Sequence, residues 1–285
     1  MTPGSRGPSG AGVHSRRTLN DEGRLTLRVD AREHQIRTYY RALFEAWGPQ
    51  HWWPAQSRFE VIVGAYLTQN TAWTNVEKAL ANLRSAGVLS VKGIRQVPLP
   101  ELEGLIRSSG YFRQKAHRLK TFIRFLDQHY GGSLQRLFSR PTAELRAELL
   151  ELNGVGPETA DSMLLYAGNR PVFVVDAYTR RILLRHALAS DEVDYEDIRR
   201  SFEHALSPLA EPVAGSRQRS TQNLVAGLPG APHPPSPMSL AKRTALTQVY
   251  NDMHGLIVGV GKHYCRKSQP LCDGCPLQPF LPRRK

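Results

Sequence analysis

Cysteine is scarce in this 285-residue chain. Only Cys265, Cys272 and Cys275 occur, all within the last 21 residues. An odd count confined to one end excludes a disulfide framework. No run approaches the ~18 uninterrupted apolar residues of a membrane-spanning helix. The first 17 residues, rich in Gly, Ser and Arg, lack the apolar centre of a secretory signal. A soluble, cytoplasmic protein with no membrane partner is the expectation. Long alternating runs are missing too, so a β-sheet has no support, and Val172 to Val175 is too short to separate a buried strand from a helix entry. Acidic residues are outnumbered, 25 Asp and Glu against 38 Lys and Arg, giving a net charge of +13. Such an excess favours a polyanionic partner without choosing between DNA, RNA and anionic lipid. With 40% hydrophobic residues the chain can fill one large or two small cores, which excludes a wholly disordered protein.

Residues 1–25 have no apolar period and read as a disordered basic arm, or as a tail that only aids solubility. From Leu27 the pattern is helical. Phe59, Ile62, Val63, Tyr66 and Leu67 fall at i, i+3, i+4, i+7 and i+8, and Leu119, Phe122, Ile123 and Leu126 repeat the spacing. Seven of the 20 prolines crowd between Ser207 and Arg243, so residues 208–243 read as a flexible insertion or linker. A last helix is expected over about Thr244 to Gly261.

The segment Leu152-Asn153-Gly154-Val155-Gly156-Pro157-Glu158-Thr159-Ala160 sets a tight Gly-x-Gly turn before a helix start. Gly154 and Gly156 can take positive φ, and the first N–H groups of the helix are free to meet a phosphate. A ligand-free helix–helix connection would read the same way. Further on, Val174-Val175-Asp176-Ala177-Tyr178 places a carboxylate at an apparent helix N-terminus, where it suits an N-cap as well as a catalytic site. The cysteines follow with C-x6-C-x2-C spacing, which favours metal or iron–sulfur ligation by thiolates.

On these three motifs the chain resembles the helix-hairpin-helix, Gly/Pro-rich-loop, catalytic-Asp (HhH-GPD) superfamily of DNA glycosylases, in its endonuclease III branch. The resemblance spans about Leu27 to Leu281 apart from the Pro-rich insertion. It implies an all-α, two-lobed fold: a six-helix barrel over 57–170 carrying the hairpin, and a second lobe from 26–56 and 171–285 ending in a cysteine cluster loop over 265–281. It also implies that the hairpin residues Gly154, Val155, Gly156 and Thr159 grip duplex DNA and that Asp176 is essential for catalysis. Gln69 matches the residue that fills the hole left by a flipped nucleotide, and Tyr111 the wedge that enters the opposite strand, although Tyr111 also suits a core position. Both serve a reaction on a base that must first leave the stack.

Two departures bear on the chemistry. Where lyase members of the branch have a lysine that forms an imine with the sugar, this chain has Glu158, and a carboxylate cannot do so. Trp52-Trp53-Pro54 precedes Gln69, and Trp73 follows it by four residues, on the same face of a helix that continues through both. This arrangement resembles the 3-methyladenine DNA glycosylase III subfamily, in which such aromatics sandwich the flipped base; the alternative is that they are core residues. Indole faces attract a cationic alkylated purine.

A third departure concerns the cluster. The resemblance implies a 4Fe-4S cluster on Cys265, Cys272 and Cys275, but the fourth cysteine position is Leu281. His263 is a candidate substitute ligand, and a labile or three-iron cluster or a metal-free loop are alternatives. Arg266 and Lys267 stand where the family presents basic side chains to DNA, and Arg283, Arg284 and Lys285 extend that charge. The reading is a monomeric, monofunctional base-excision glycosylase for alkylated purines. The alternatives are an endonuclease III-like glycosylase and lyase for oxidised pyrimidines, and a non-catalytic DNA-damage-binding protein.

Overall fold

The structure is a computed structural model that describes residues 21–210 and 233–282. Among the described residues it is helical throughout, with no strand and no helix long and apolar enough to cross a membrane. The last three basic residues and most of the Pro-rich segment lie outside the described residues, as do residues 1–20. Helix α1 (Asp21–Trp47) begins inside the stretch expected to be a disordered arm. Its opening Asp-Glu pair is a residue type favoured at helix starts, a signal that the missing apolar period hid.

The first lobe is built around α2 (Arg58–Leu67). Ser57 caps it by accepting from the Glu60 N–H at 3.1 Å. Every residue from Phe59 to Leu67 is buried, so this helix is enclosed on all sides. Around it run α3 (Trp73–Ser85), α4 (Val91–Gln96), α5 (Leu99–Leu105), α6 (Phe112–Tyr130), α7 (Leu134–Leu137), α8 (Thr142–Leu150) and α9 (Pro157–Ser162). The last of these continues into a π-helical turn, Met163–Ala167, which packs against α2. On α6 the periodic residues Leu119, Phe122, Ile123 and Leu126 are buried as their spacing predicts. Gly131, at φ +58°, ends that helix in the left-handed region.

The second lobe sets α10 (Ala177–Arg185), α11 (Tyr195–Leu206) and α12 (Ala245–His263) against α1. The expected last helix is α12, whose Met253, Leu256, Ile257 and Val260 are buried. Between the lobes, Val172 to Val175 turns out to be neither strand nor helix. Side chains of α11 take the place of a partner strand: the Phe173 N–H donates to Glu203 Oε1 at 3.0 Å and the Val175 N–H to the Tyr195 hydroxyl at 3.3 Å. Two amides of this buried, all-apolar run are thus satisfied outside any helix or sheet.

A buried charge network ties the lobes together. Arg146 on α8 donates to both oxygens of the fully buried Asp161 on α9, at 2.7 and 3.1 Å, and to Glu196 on α11 at 2.5 Å. The Tyr195 hydroxyl donates to Asp161 at 2.9 Å. Removing one member strands the others in a dry site. Arg146→Leu is expected to lower unfolding stability by about 3–5 kcal/mol, read from urea denaturation; a loss under about 1 kcal/mol would show that water replaces the arginine.

Candidate active site between the lobes

Asp176 is the N-cap of α10. Its Oδ1 accepts from the Thr179 N–H at 2.7 Å and from the Thr179 hydroxyl at 2.8 Å. The other oxygen, Oδ2, lies 3.6 Å from His254 Nε2 on α12. Burial holds His254 below the ordinary histidine range, against the pull of the Asp176 charge. The second ring nitrogen, Nδ1, is hydrogen-bonded to the hydroxyl of Tyr166 on the π turn. Glu158, in the first turn of α9, faces the same carboxylate. Desolvation, and then the negative charge of Asp176, push it up to about 7. The residue as a whole is exposed.

The hairpin and the loop after α2 form one unit. Gly154 has φ +80°, and a Cβ there would lie 2.0 Å from Arg118 Nε, so both backbone and space require glycine. Gly156 does not take the positive φ expected of it: it is the extended N-cap of α9 at φ −95°, exposed and with open space around it. Val155 and Thr159 are buried. Gln69 donates to the Gly154 carbonyl and to Thr159 Oγ1, both at 2.9 Å, and accepts from Arg118 at 2.6 Å.

Tyr111, 65% exposed with φ +45°, opens α6 as a protruding aromatic instead of filling a core. Beneath it lies a residue that sequence reasoning missed. Lys115 is buried and donates from Nζ to the Leu67 carbonyl at 2.9 Å and the Ser109 carbonyl at 2.7 Å. Burial first, then the Arg118 charge, lowers it to about 8. One ammonium thus anchors both the Gln69 and the Tyr111 loops. The signal was available, because Lys115, Leu119, Phe122 and Leu126 share one buried face of α6.

Trp52 and Trp53 are buried, Trp73 and Pro54 half-buried. The helix does not continue from Gln69 to Trp73: α2 ends at Leu67, Asn70 takes φ +53°, and Trp73 opens α3. The three indoles meet nonetheless, with ring centroids 5.3 to 5.6 Å apart. A third ring between two others needs about 7 Å, two carbon contact distances of ~3.5 Å, so the cluster is closed on itself.

Part of the Pro-rich stretch reinforces this cluster. The sequence reads 208–243 as a free linker, and residues 211–232 lie outside the described residues. From His233 onward the chain is strapped to the tryptophan segment. The His233 N–H donates to the Gln50 carbonyl at 3.1 Å, the Met238 N–H to the Ala55 carbonyl at 3.2 Å, and the Ser236 hydroxyl to the Trp53 carbonyl at 3.3 Å. Prolines suit an extended strap, and its remaining amides find carbonyls that no helix uses.

Cys265, Cys272 and Cys275 line one cavity with Arg185, His186 and Leu281. Arg185 donates to Cys265 Sγ at 3.2 Å and to the Arg266 and Lys267 carbonyls at 2.7 and 2.9 Å, leaving those two basic side chains exposed. Burial, with Cys272 and Cys265 nearby, raises the Cys275 thiol. His263 is not among these residues; it lines a separate cavity with Gln50, Trp52 and His233, because it ends α12 on another face. Among the described residues no three His, Cys, Asp or Glu side chains converge tightly enough for a single metal ion.

The model of the HhH-GPD superfamily of base excision DNA repair proteins matches residues 63–208. The chain belongs to this superfamily. It is a DNA-binding enzyme of base-excision repair, a DNA N-glycosylase. A protein of Methanocaldococcus jannaschii with a provisional name as a DNA repair glycosylase is 39% identical over 242 residues, covering 85% of this chain and 93% of its own. The solved structure of Helicobacter pylori 3-methyladenine DNA glycosylase bound to 1,N6-ethenoadenine is 27% identical with a TM-score of 0.61, over 81% of this chain and 97% of that one. A trapped endonuclease III–DNA intermediate, 20% identical at a TM-score of 0.63 over 87% and 95% of the two chains, shares the fold.

Lys115→Met is expected to leave two buried carbonyls without a donor, costing about 2 kcal/mol or more of unfolding stability. Amide hydrogen exchange should rise at residues 68–70 and 109–112; unchanged protection there would remove Lys115 as the anchor.

Proposed function

We propose that the enzyme hydrolyses the N-glycosidic bond of alkylated purines in duplex DNA, acts as a monomer and leaves the strand intact. The observation that carries this reading is the carboxylate of Asp176, fixed at the N-cap of α10 by Thr179, in a chain that has Glu158 where a lyase would present an amine. The similarity to the 3-methyladenine DNA glycosylase of Helicobacter pylori supports the substrate class.

In this reading residues 57–170 form the barrel lobe and 26–56 with 171–285 the second lobe, DNA lying across the cleft. The Gly154 to Gly156 turn meets a phosphate, with Val155 and Thr159 shaping it from beneath, and Arg266 and Lys267 meet the backbone further along. Tyr111 wedges into the duplex while Gln69 fills the gap left by the flipped nucleotide. The cationic base enters the tryptophan cluster, where Trp52, Trp53 and Trp73 attract it through their faces and Pro54 supports the wall. Because the rings touch one another, entry requires them to part, and Trp73 is the most exposed of the three.

Release of the base breaks the C1′–N bond, and the base departs with the electron pair, which neutralises its positive charge. Little acid catalysis is needed for so good a leaving group. Asp176, held by Thr179, stabilises the oxocarbenium-like sugar and orients the water that adds to C1′, whose proton passes to the carboxylate and then to solvent. Glu158 offers no nucleophile for an imine.

The three thiols of the cysteine loop line one cavity with Arg185, which donates to Cys265 Sγ, and Cys265, Cys272 and Cys275 would hold a 4Fe-4S cluster, with Leu281 on the same cavity offering no side-chain ligand. Such a cluster would supply a rigid anchor for the loop bearing Arg266 and Lys267. Iron and sulfide analysis with a visible spectrum tests this assignment. Near-stoichiometric iron that is lost in Cys272→Ser is expected; a colourless, iron-free, fully active preparation would refute it.

The function is tested with duplexes carrying 3-methyladenine, 7-methylguanine or thymine glycol, each treated after incubation with hot alkali or borohydride. Excision of the methylated purines without a trapped adduct is expected. Asp176→Asn should lower that excision about 100-fold or more with DNA affinity retained. Glu158→Lys should gain a borohydride-trappable adduct. Excision of thymine glycol alone, or an adduct formed by the wild type, would overturn the proposal.

A further inference from the structure

Sequence reasoning left the interior of α12 unexamined, yet His254 is buried there with one nitrogen facing Asp176. We propose that His254 is a positioning residue for Asp176, the middle link of a chain that runs from the Tyr166 hydroxyl through the imidazole to the free carboxylate oxygen. The proposal rests on the reading of Asp176 as the catalytic carboxylate.

Tautomer and geometry carry the argument. A neutral imidazole has one donor and one acceptor nitrogen. Nδ1 is hydrogen-bonded to the Tyr166 hydroxyl, and Nε2 is a buried atom without a hydrogen bond, 3.6 Å from Asp176 Oδ2. The Trp52 indole N–H faces the same Tyr166 hydroxyl, without closing a hydrogen bond of normal geometry. That approach favours a phenol oxygen that accepts from the Trp52 side and donates its proton to Nδ1. The ring proton then belongs on Nε2, pointing at the carboxylate. The opposite tautomer would set a lone pair against a carboxylate in a dry site.

At 3.6 Å the contact is longer than a hydrogen bond. Contacts of this kind shorten when the reacting complex assembles. Thr179 already saturates Oδ1, so the carboxylate cannot rotate away. A neutral donor on one lone pair of Oδ2 leaves the other for the sugar, and it leaves the negative charge intact, which a protonated histidine would not. Burial, which keeps the ring neutral, supports this role.

Two measurements test the link without requiring the correct lesion. Nitrogen NMR of 15N-histidine-labelled protein should show His254 as the neutral Nε2–H tautomer; an Nδ1–H ring would overturn the proposal. Affinity for a duplex bearing a pyrrolidine abasic analogue, whose cation mimics the developing sugar charge, should fall about tenfold in His254→Leu. His254→Gln, whose amide N–H can occupy the place of Nε2–H, should restore most of that affinity, and binding to unmodified duplex should not change. Wild-type analogue affinity in His254→Leu, or equal losses in the Leu and Gln variants, would overturn the positioning role. Asp176→Asn measured in parallel separates the two readings: analogue binding that survives in Asp176→Asn refutes Asp176 itself, whereas loss there beside full binding in His254→Leu refutes only His254.

Discussion

Asp176 closes the first turn of α10 with its own side chain, and the order of the cleft depends on that cap. Without it the Thr179 N–H would face the interior unpaired, and nothing would fix the direction of the carboxylate. The cap holds only because the residues before it are held. In the buried run Val172 to Val175 the Phe173 and Val175 amides are bound by Glu203 and Tyr195, and Tyr195 is itself bound to Asp161 beside Arg146. A line of buried polar contacts therefore leads from the barrel lobe to the carboxylate. The steps are at least partly desolvated, so displacement at any one of them would be felt at the others.

The opposite wall follows the same logic with different partners. Gln69 and the hairpin turn share Arg118, and the loops bearing Gln69 and Tyr111 share Lys115. Exposed tips thus rise from buried polar anchors. Tyr111 can protrude in a left-handed conformation because the first turn of α6 beneath it is pinned. In the tryptophan cluster the indoles meet through ring contacts, while the backbone of that segment is held by the strap.

Much of the fold was legible from periodicity and glycine placement, since Phe59 to Leu67 and Leu119 to Leu126 bury the faces their spacing indicates. The order of hairpin, aspartate and cysteines was enough to identify the superfamily. Periodicity could not assign Val172 to Val175, because that segment is stabilised by side chains 20 and 30 residues further along the chain rather than by a local pattern. Gly156 shows the limit of composition: glycine permits positive φ but does not require it. Lys115 and His254 lie within apolar helical faces, where a polar residue signals a buried partner without naming it. The partners, two carbonyls in one case and a tyrosine with an aspartate in the other, are brought together only by the tertiary fold.

The strap from His233 to Met238 also bears on when the enzyme becomes competent. Its hydroxyl contact at Ser236 reaches Trp53 across 183 positions of sequence. During synthesis α1, the tryptophan segment and the barrel helices leave the ribosome before the strap, and α2 can be buried among its neighbours, but the tryptophan segment then lacks the chain that covers it. The tryptophan segment is therefore covered only among the last events of folding. A nascent chain stalled after the hairpin would hold the Gly154 turn but neither the strap nor α12, so His254 would not yet stand beside Asp176 and the segment would stay uncovered until the polypeptide is nearly whole.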